Sequence, residues 1–351
     1  MRRALCKVYE YGGIHSGAAV CSLVWFTLFT ALFTRDYALP LPKTTTNPAI
    51  LTTTYILLAI LLGLVTTAYP RFRMMSHNTF ENFHRWGGWF ALALFWVELL
   101  LFAHAQNPSS LGHTLLKFPA FWFQLISTIH AILPWFRLHK LRVIPEKHSN
   151  HAIRLHFKEN ISLFVGLRIS HSPLREWHSF ACIPVREGTG GSLLISNAGD
   201  WTRDTIDNPR PYYWIKGIPV TGVLPMARLF KKVIVVTTGS GIGPCLGVIQ
   251  DVPLMGTKIR VIWSTPSPLE TYGWDICQAV RNVDSRAVII DTRQMKKDGR
   301  GRPDLTRIAW ELYKSEEAEA VFVISNPKVT RKVVYGLESR GVPAFGPIWD
   351  S

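Results

Sequence analysis

The sequence predicts a multi-domain membrane protein: a four-helix transmembrane domain at residues 1–145, an antiparallel β-barrel at 146–230 and a doubly wound α/β domain at 231–351. Three observations predict it. Apolar residues crowd into four long segments in the first 140 positions. After Phe136 the chain turns to short alternating stretches, HAIRLHF, NISLFVGLRI and GSLLIS, separated by Pro, Gly and Asn. From Lys231 onward the β-branched runs VIVVTT, IRVIWST, AVIIDT and AVFVIS alternate with helical pieces, the pattern of a parallel sheet with helices on both faces.

The four apolar segments are His15 to Thr34, Ala49 to Tyr69, Trp86 to Gln106 and Phe118 to Phe136. Each approaches the roughly 20 residues that a helix needs to cross a bilayer. Arg2, Arg3 and Lys7 flank the first, Arg71, Arg73 and Arg85 fill the second loop, and Arg137, Lys140 and Arg142 follow the fourth. The other two loops hold Arg35, Lys43 and Lys117. This bias predicts a multi-pass membrane protein with both termini and the C-terminal domains on the cytoplasmic side. Much of the net charge of +15 therefore belongs beside lipid headgroups, and with no nucleic-acid-binding signature present, no nucleic-acid partner is expected. Five scattered cysteines with no CxxC pair fit a reducing compartment.

The first apolar run of the α/β part ends in VVTTGSGIGPC. Strand, glycine turn and helix together aim backbone N–H groups and a helix dipole at one point, which suits a phosphate. A Cβ would block the approach. By itself the spacing is weak, and a tight turn in an α/β sheet is the alternative.

Upstream stand EWHSFACIP, ISNAGDWT and YWIKGIPVTG. With the glycine turn they make residues 148 to 351 resemble the ferredoxin-reductase superfamily, within it the ferric reductase and NADPH oxidase branch, and there fungal membrane flavoproteins of the TmpA type. The resemblance implies FAD on His178, Ser179, Phe180 and Ala181, with a Gly-Pro loop at Gly217 and Pro219. It implies a nicotinamide dinucleotide on Thr238, Gly239, Ser240, Gly241, Ile242, Gly243 and Pro244. Trp349 would cover the flavin, and Ser325 takes the place of the cysteine beside the nicotinamide. Ala181 departs from the family's Ser or Thr. Alternatives stay open: Phe180 as a core aromatic, Cys245 as a buried hydrophobe. NADPH is the expected donor and NADH the alternative; Pro266 occupies the position usually held by an Arg for the 2′-phosphate, and Lys296, Lys297, Arg300 and Arg302 are the basic candidates.

Relatives in that branch hold two haems between histidine pairs. Here His84 opens the third segment, but Glu98 stands fourteen positions on, where a second ligand would be; proton handling or substrate contact is one reading of it, and a Glu98–Gln124 hydrogen bond the structural alternative. A single haem on His84, with His15 as the better depth match or His130 as the other partner, is the expectation that remains. The functional expectation is a membrane flavoenzyme passing electrons from NADPH through FAD to a small, lipophilic acceptor. The alternatives are a one-haem ferric reductase or NADPH oxidase-like enzyme, and a non-catalytic membrane regulator that keeps the dinucleotide fold.

Overall fold

The computed structural model describes residues 1–10, 13–39, 47–160, 166–185, 189–217, 219, 221–250 and 256–347. They fall into two units, Gly13–Pro134 and Met1–Gly12 together with Trp135–Ser351. The boundary thus differs from the expected 1–145: the first residues belong with the C-terminal unit. There α1 (Arg2–Lys7) buries Cys6 completely in the cluster containing Phe230 and Phe345. Arg2 Nη1 donates to Leu229 O at 3.0 Å, and Lys7 pairs with Glu338 and donates to Ala344 O at 3.3 Å. Six residues are too few to hold a helix alone; tertiary contacts hold this one.

In the helical unit α2 (Ile14–Ala38), α3 (Pro48–Ala68), α4 (Pro70–Met75), α5 (His77–Gln106), α6 (Leu111–Lys117) and α7 (Pro119–Ile132) follow in order. Asn47 starts α3 by accepting from Ala49 N at 2.8 Å, with Pro48 in the first turn, where its missing N–H costs nothing. Among the described residues three helices, α2, α3 and α5, are long and apolar enough to cross a membrane. The fourth expected span is different. It is α-helical only to Ile132, then 3-10 through Arg137, because Pro134 can neither donate nor clear the preceding turn. It reaches spanning length only as one arm of a pair bent by 72°. Arg71, Arg73 and Arg85, expected in a loop, lie on α4 and in the first third of α5.

The second unit begins its sheet earlier than expected. β1 (His139–Arg142) and β2 (Ile144–Lys147) precede β3 (Ala152–Phe157), β4 (Gly166–Ser170), β5 (His178–Pro184), β6 (Gly191–Ser196), α8 (Asp200–Asp207) and β7 (Tyr212–Ile215). The seven strands run β1-β7-β4-β5-β6-β3-β2 with antiparallel pairing. β5 turns the corner: Phe180 and Ala181 face Leu167 and Gly166 of β4, whereas Cys182 and Ile183 face Leu193 and Ser192 of β6. A strand that changes partners midway curls a sheet into a half-barrel.

Next come β8 (Lys232–Thr238), α9 (Ile242–Ile249), β9 (Lys258–Thr265), α10 (Pro268–Val283), β10 (Val288–Asp291), α11 (Thr292–Lys297), α12 (Leu305–Ser315), β11 (Ala320–Ile324), α13 (Pro327–Glu338) and β12 (Ala344–Phe345). All pairs are parallel, in the order β10-β9-β8-β11-β12. Val233 to Val236 are fully buried because helices cover both faces, which is why VIVV reads as a continuous apolar run. One core cluster takes Ala152, Ile183 and Leu194 of the half-barrel together with Val235, Leu246 and Phe322 of the α/β part.

Candidate functional site

The strand order reverses between β8 and β11, and in open α/β sheets ligands bind at the carboxyl ends of the strands at such a point. There β8 ends in Thr238, and Gly239–Gly241 form a 3-10 turn leading into α9. Gly239 has φ +52°, a left-handed conformation that favours glycine, and Trp263 Nε1 donates to its carbonyl at 3.0 Å. A Cβ on Gly241 would lie 2.5 Å from Ile324 O. Ser240 is exposed and Ile242 buried, so the turn has an open side and an anchored side.

The third glycine does something else. A Cβ on Gly243 would lie 3.3 Å from Leu194 Cβ, and one on Gly247 would lie 2.2 Å from Cys182 O. Gly243 and Gly247, one helical turn apart, are the face on which α9 lies against β5 and β6. Gly243 therefore serves helix-on-strand packing, and Gly247, which has the same role, was not singled out from the sequence. Cys245 is fully buried, and burial pushes its thiol up to about 12, so it is the small hydrophobe that was the alternative reading.

Ser325 follows β11 and is 4 % exposed; its hydroxyl meets that of Thr238 at the mouth of the turn. Thr330 Oγ1 donates to Ser325 O at 2.9 Å, and Thr237 Oγ1 to Ile324 O at 2.8 Å. These bonds fix the ends of both central strands. The structure thus joins Thr238, Gly239, Ser240, Gly241, Ile242, Pro244 and Ser325 in one place.

On β5, His178 and Phe180 share a face and Ser179 and Ala181 the other, as strand alternation requires. Trp201 of α8 lies over the first pair: its ring is 4.4 Å from His178, and 5.8 Å from Phe180 at an interplanar angle of 23°. His171 stacks on Trp201 at 4.5 Å, and its Nε2 lies 3.0 Å from Thr205 Oγ1. Burial, then the Arg210 charge, pull His171 down to about 4 against the weaker effect of Asp204. Phe180 stays partly exposed at the edge of this cluster, so it is both a core aromatic and an available ring. Trp201 was missed as a site residue, although it stands in the quoted ISNAGDWT. Gly217, at φ +79°, and Pro219 follow β7; Lys216 beside them lies over the rings of Trp135 at 4.2 Å and Trp177 at 4.3 Å. Trp349 lies outside the described residues.

Beyond β9 and β10, Pro266, Arg293, Lys296, Arg300 and Arg302 line a cavity of about 490 Å³. Lys296, Arg300 and Arg302 are three of the four basic candidates; Arg293 is an addition. Burial alone would raise the Asp291 carboxyl, but N–H groups of Ser267, Arg293 and Gln294 hold it below the usual carboxylate range.

In the helical unit His15 lies within electrostatic reach of His84, whose ring packs on Phe80 at 4.4 Å. His130 spends Nδ1 on its own helix, donating to Ile126 O at 2.8 Å. The expected Glu98–Gln124 bond is replaced: Glu98 Oε1 meets the Thr54 hydroxyl, and Gln124 Nε2 donates to Leu92 O at 3.0 Å. Both side chains still line one cavity of about 370 Å³, walled by Phe26, Phe29, Phe95, Phe102 and Phe118.

A half-barrel ahead of a five-stranded parallel sheet, packed together through α9, is a ferredoxin-reductase-like fold. A family model described as the C-terminal domain of adenylate-forming reductase 03009 matches residues 223–351. Over its whole length the chain is 45% identical to adenylate-forming reductase 03009 and 44% identical to adenylate-forming reductase 06235, both from Coprinopsis cinerea, and it spans 34% of each. Among solved structures, flavohemoglobin from Malassezia yamatoensis, with bound FAD and heme, has a TM-score of 0.51 at 12% identity over 96% of this chain and 99% of that one. A ferredoxin NADP+ reductase from Neisseria gonorrhoeae, with bound FAD and NADP, has a TM-score of 0.48 at 11% identity over 60% of this chain and 98% of that one.

Proposed function

We propose that this chain is a membrane-bound, FAD-dependent NADPH oxidoreductase of the ferric reductase branch, delivering electrons to a small-molecule acceptor. The observation that carries the reading is the glycine turn at the sheet's switch point, held by Gly247 against the strand that bears Phe180. The residues present fit both groups. Gly241 has no room for a Cβ and Gly239 takes a left-handed φ, so the turn is bare backbone and a pyrophosphate would meet N–H groups and the start of α9. Phe180 offers a half-buried aromatic edge for a flavin ring, steadied by Trp201 behind it.

When bound, FAD supplies two-electron acceptance from a nicotinamide and stepwise release to an acceptor. The chain's own residues bind, orient and exclude water. Ser325 and Thr238 offer hydroxyls at the mouth of the turn, where a nicotinamide would lie. The basic cavity of Lys296, Arg300 and Arg302 suits a 2′-phosphate and favours NADPH over NADH.

Three long apolar helices support membrane attachment, with the reductase part on the cytoplasmic side as the basic flanks imply. The aromatic cavity lined by Glu98 is sized for a lipophilic molecule. The relatives' name, adenylate-forming reductase, favours an adenylate as a second acceptor class.

The test is to purify the chain in detergent, record its absorbance, and add NADPH or NADH without oxygen. A flavin spectrum bleached by NADPH supports the proposal. A folded protein that takes up no FAD overturns it, and bound FAD that neither nucleotide bleaches favours the regulator. A Soret band after haem-sufficient expression would add the His84–His15 haem to the electron route.

A further inference from the structure

We propose that Glu146, His148 and Asp275 form a divalent metal site whose ion is Zn²⁺. It lies where the turn after β2 meets α10, uses none of the residues assigned to either nucleotide, and does not depend on the flavin reading.

His148 carries the strongest signal. Its side chain is 6 % exposed, its Nε2 is buried without a hydrogen-bond partner, and its Nδ1 makes no hydrogen bond among the described residues. Nδ1 points toward two carboxylates. It is 4.0 Å from Glu146 Oε1, and one ligand atom from each of the three residues lies within 4.8 Å of the other two. A Cβ on Gly273 would lie 3.0 Å from His148 Nδ1 and 2.9 Å from Asp275 Oδ1, so both atoms face space that only a glycine leaves open. Gly273, at φ +84°, breaks α10 there and creates that space.

Each carboxylate is already oriented from behind. His156 Nε2 lies 2.6 Å from Glu146 Oε2, and Arg154 Nη1 donates to Asp275 Oδ2 at 2.6 Å. Metal-binding carboxylates are typically hydrogen-bonded in this way, one oxygen held and the other free to coordinate. Arg154 offsets one of the two negative charges, and the other remains for a cation. The two sides are also tied together without metal, since Ser149 Oγ donates to Thr271 O at 2.9 Å. One imidazole nitrogen and two carboxylate oxygens are a donor set for Zn²⁺, with a water as fourth ligand. Bonds of about 2.0–2.2 Å require the three ligand atoms to draw in from their present spacing, a small movement for Glu146, whose side chain is half exposed. The ion would clamp the half-barrel to α10. Next to Gly273 on that helix is Tyr272, whose hydroxyl is 3.7 Å from the Cβ position of Gly239, so the clamp stiffens one wall of the dinucleotide turn.

The test uses the full chain in detergent, stripped with chelator and kept free of nucleotides, with Zn²⁺ alone as probe. Metal retained after desalting is counted by mass spectrometry for the wild type, His148→Ala, Asp275→Asn and Asp275→Glu, with melting curves beside each. The wild type should hold one equivalent more than His148→Ala and Asp275→Asn, Asp275→Glu should regain it in part, and Zn²⁺ should raise the melting point only where that equivalent is held. Equal retention by folded wild type and folded Asp275→Asn overturns the proposal even if His148→Ala does not fold. Retention of Mn²⁺ instead, with the same dependence on His148, supports the site and overturns the choice of ion.

Discussion

The α-carbon of Gly247 lies against the carbonyl of Cys182, so closely that a Cβ there would be 2.2 Å from the oxygen. This contact sets how closely the helix after the glycine turn lies on the strand bearing His178 and Phe180. Gly247→Ala must push α9 off β5. Overpacking of this kind costs about 2 kcal/mol. The expected result is a lowered melting point together with at least tenfold slower flavin bleaching by NADPH, at near-normal FAD content. Stopped-flow absorbance on the purified chain checks it.

The cavity lined by Lys296, Arg300 and Arg302 should set the choice of nucleotide. Arg300→Ala with Lys296→Ala removes two charges from the cavity proposed for the 2′-phosphate while leaving the turn at Gly239 intact. KM for NADPH should rise about tenfold or more, with kcat and the constants for NADH little changed, because the lost contacts are made equally in ground and transition states. Steady-state reduction of an artificial acceptor by each nucleotide reads this directly.

His171 makes the half-barrel acid-sensitive. Its ordinary value is 6.5 and its folded value about 4, lowered first by burial and then by Arg210. Between these values the unfolded chain takes up a proton that the folded chain refuses. Stability is therefore complete above pH 6.5 and falls as pH drops toward 4, by on the order of 3 kcal/mol at the lower end. Melting the flavin-free chain across this range should show the slope, and His171→Phe, which keeps the stack on Trp201, should flatten it.

Glu316 joins three cations at one corner of the parallel sheet. Arg260 Nη1 bonds it closely, Arg286 Nη2 lies 3.0 Å away and Lys232 Nζ 3.5 Å away. Burial alone would raise its carboxyl, but Arg260, Arg286 and Lys232 together hold it below its ordinary value. Its contribution is thus present above about pH 4.5 and lost as pH falls through the lower, folded value. Glu316→Gln should cost about 1 kcal/mol at neutral pH, read by denaturant unfolding, because three cations lose a charged partner while Arg260 keeps Asp284 at 3.0 Å.

Local sequence carried the parts of this fold that local chemistry decides. VIVVTT followed by three glycines located β8 and the turn because a run covered on both faces has to be apolar, and a left-handed Gly239, a Gly241 pressed on Ile324 O and a Gly243 packed on Leu194 favour residues without side chains. The helices α2, α3 and α5 were visible because each carries a long apolar run. What escaped is decided by distant residues. Trp201 reaches His178 and Phe180 across the half-barrel, Thr54 takes Glu98 from another helix, and α1 is held by partners more than two hundred positions away. Gly247 looked like any small residue in a helix until the carbonyl opposite it was known. The early end of α7 was signalled by Pro134, but an apolar run masked it.

The docking of α1 also governs how the C-terminal unit should be isolated. A soluble fragment cut to residues 135–351 would leave a vacancy where Cys6 sat and bare the rings of Phe230 and Phe345, over which Arg2 and Lys7 now lie. Such material would be prone to clump. Supplying the opening decapeptide, stitched on through a short tether or added as a free peptide, should return it to solution.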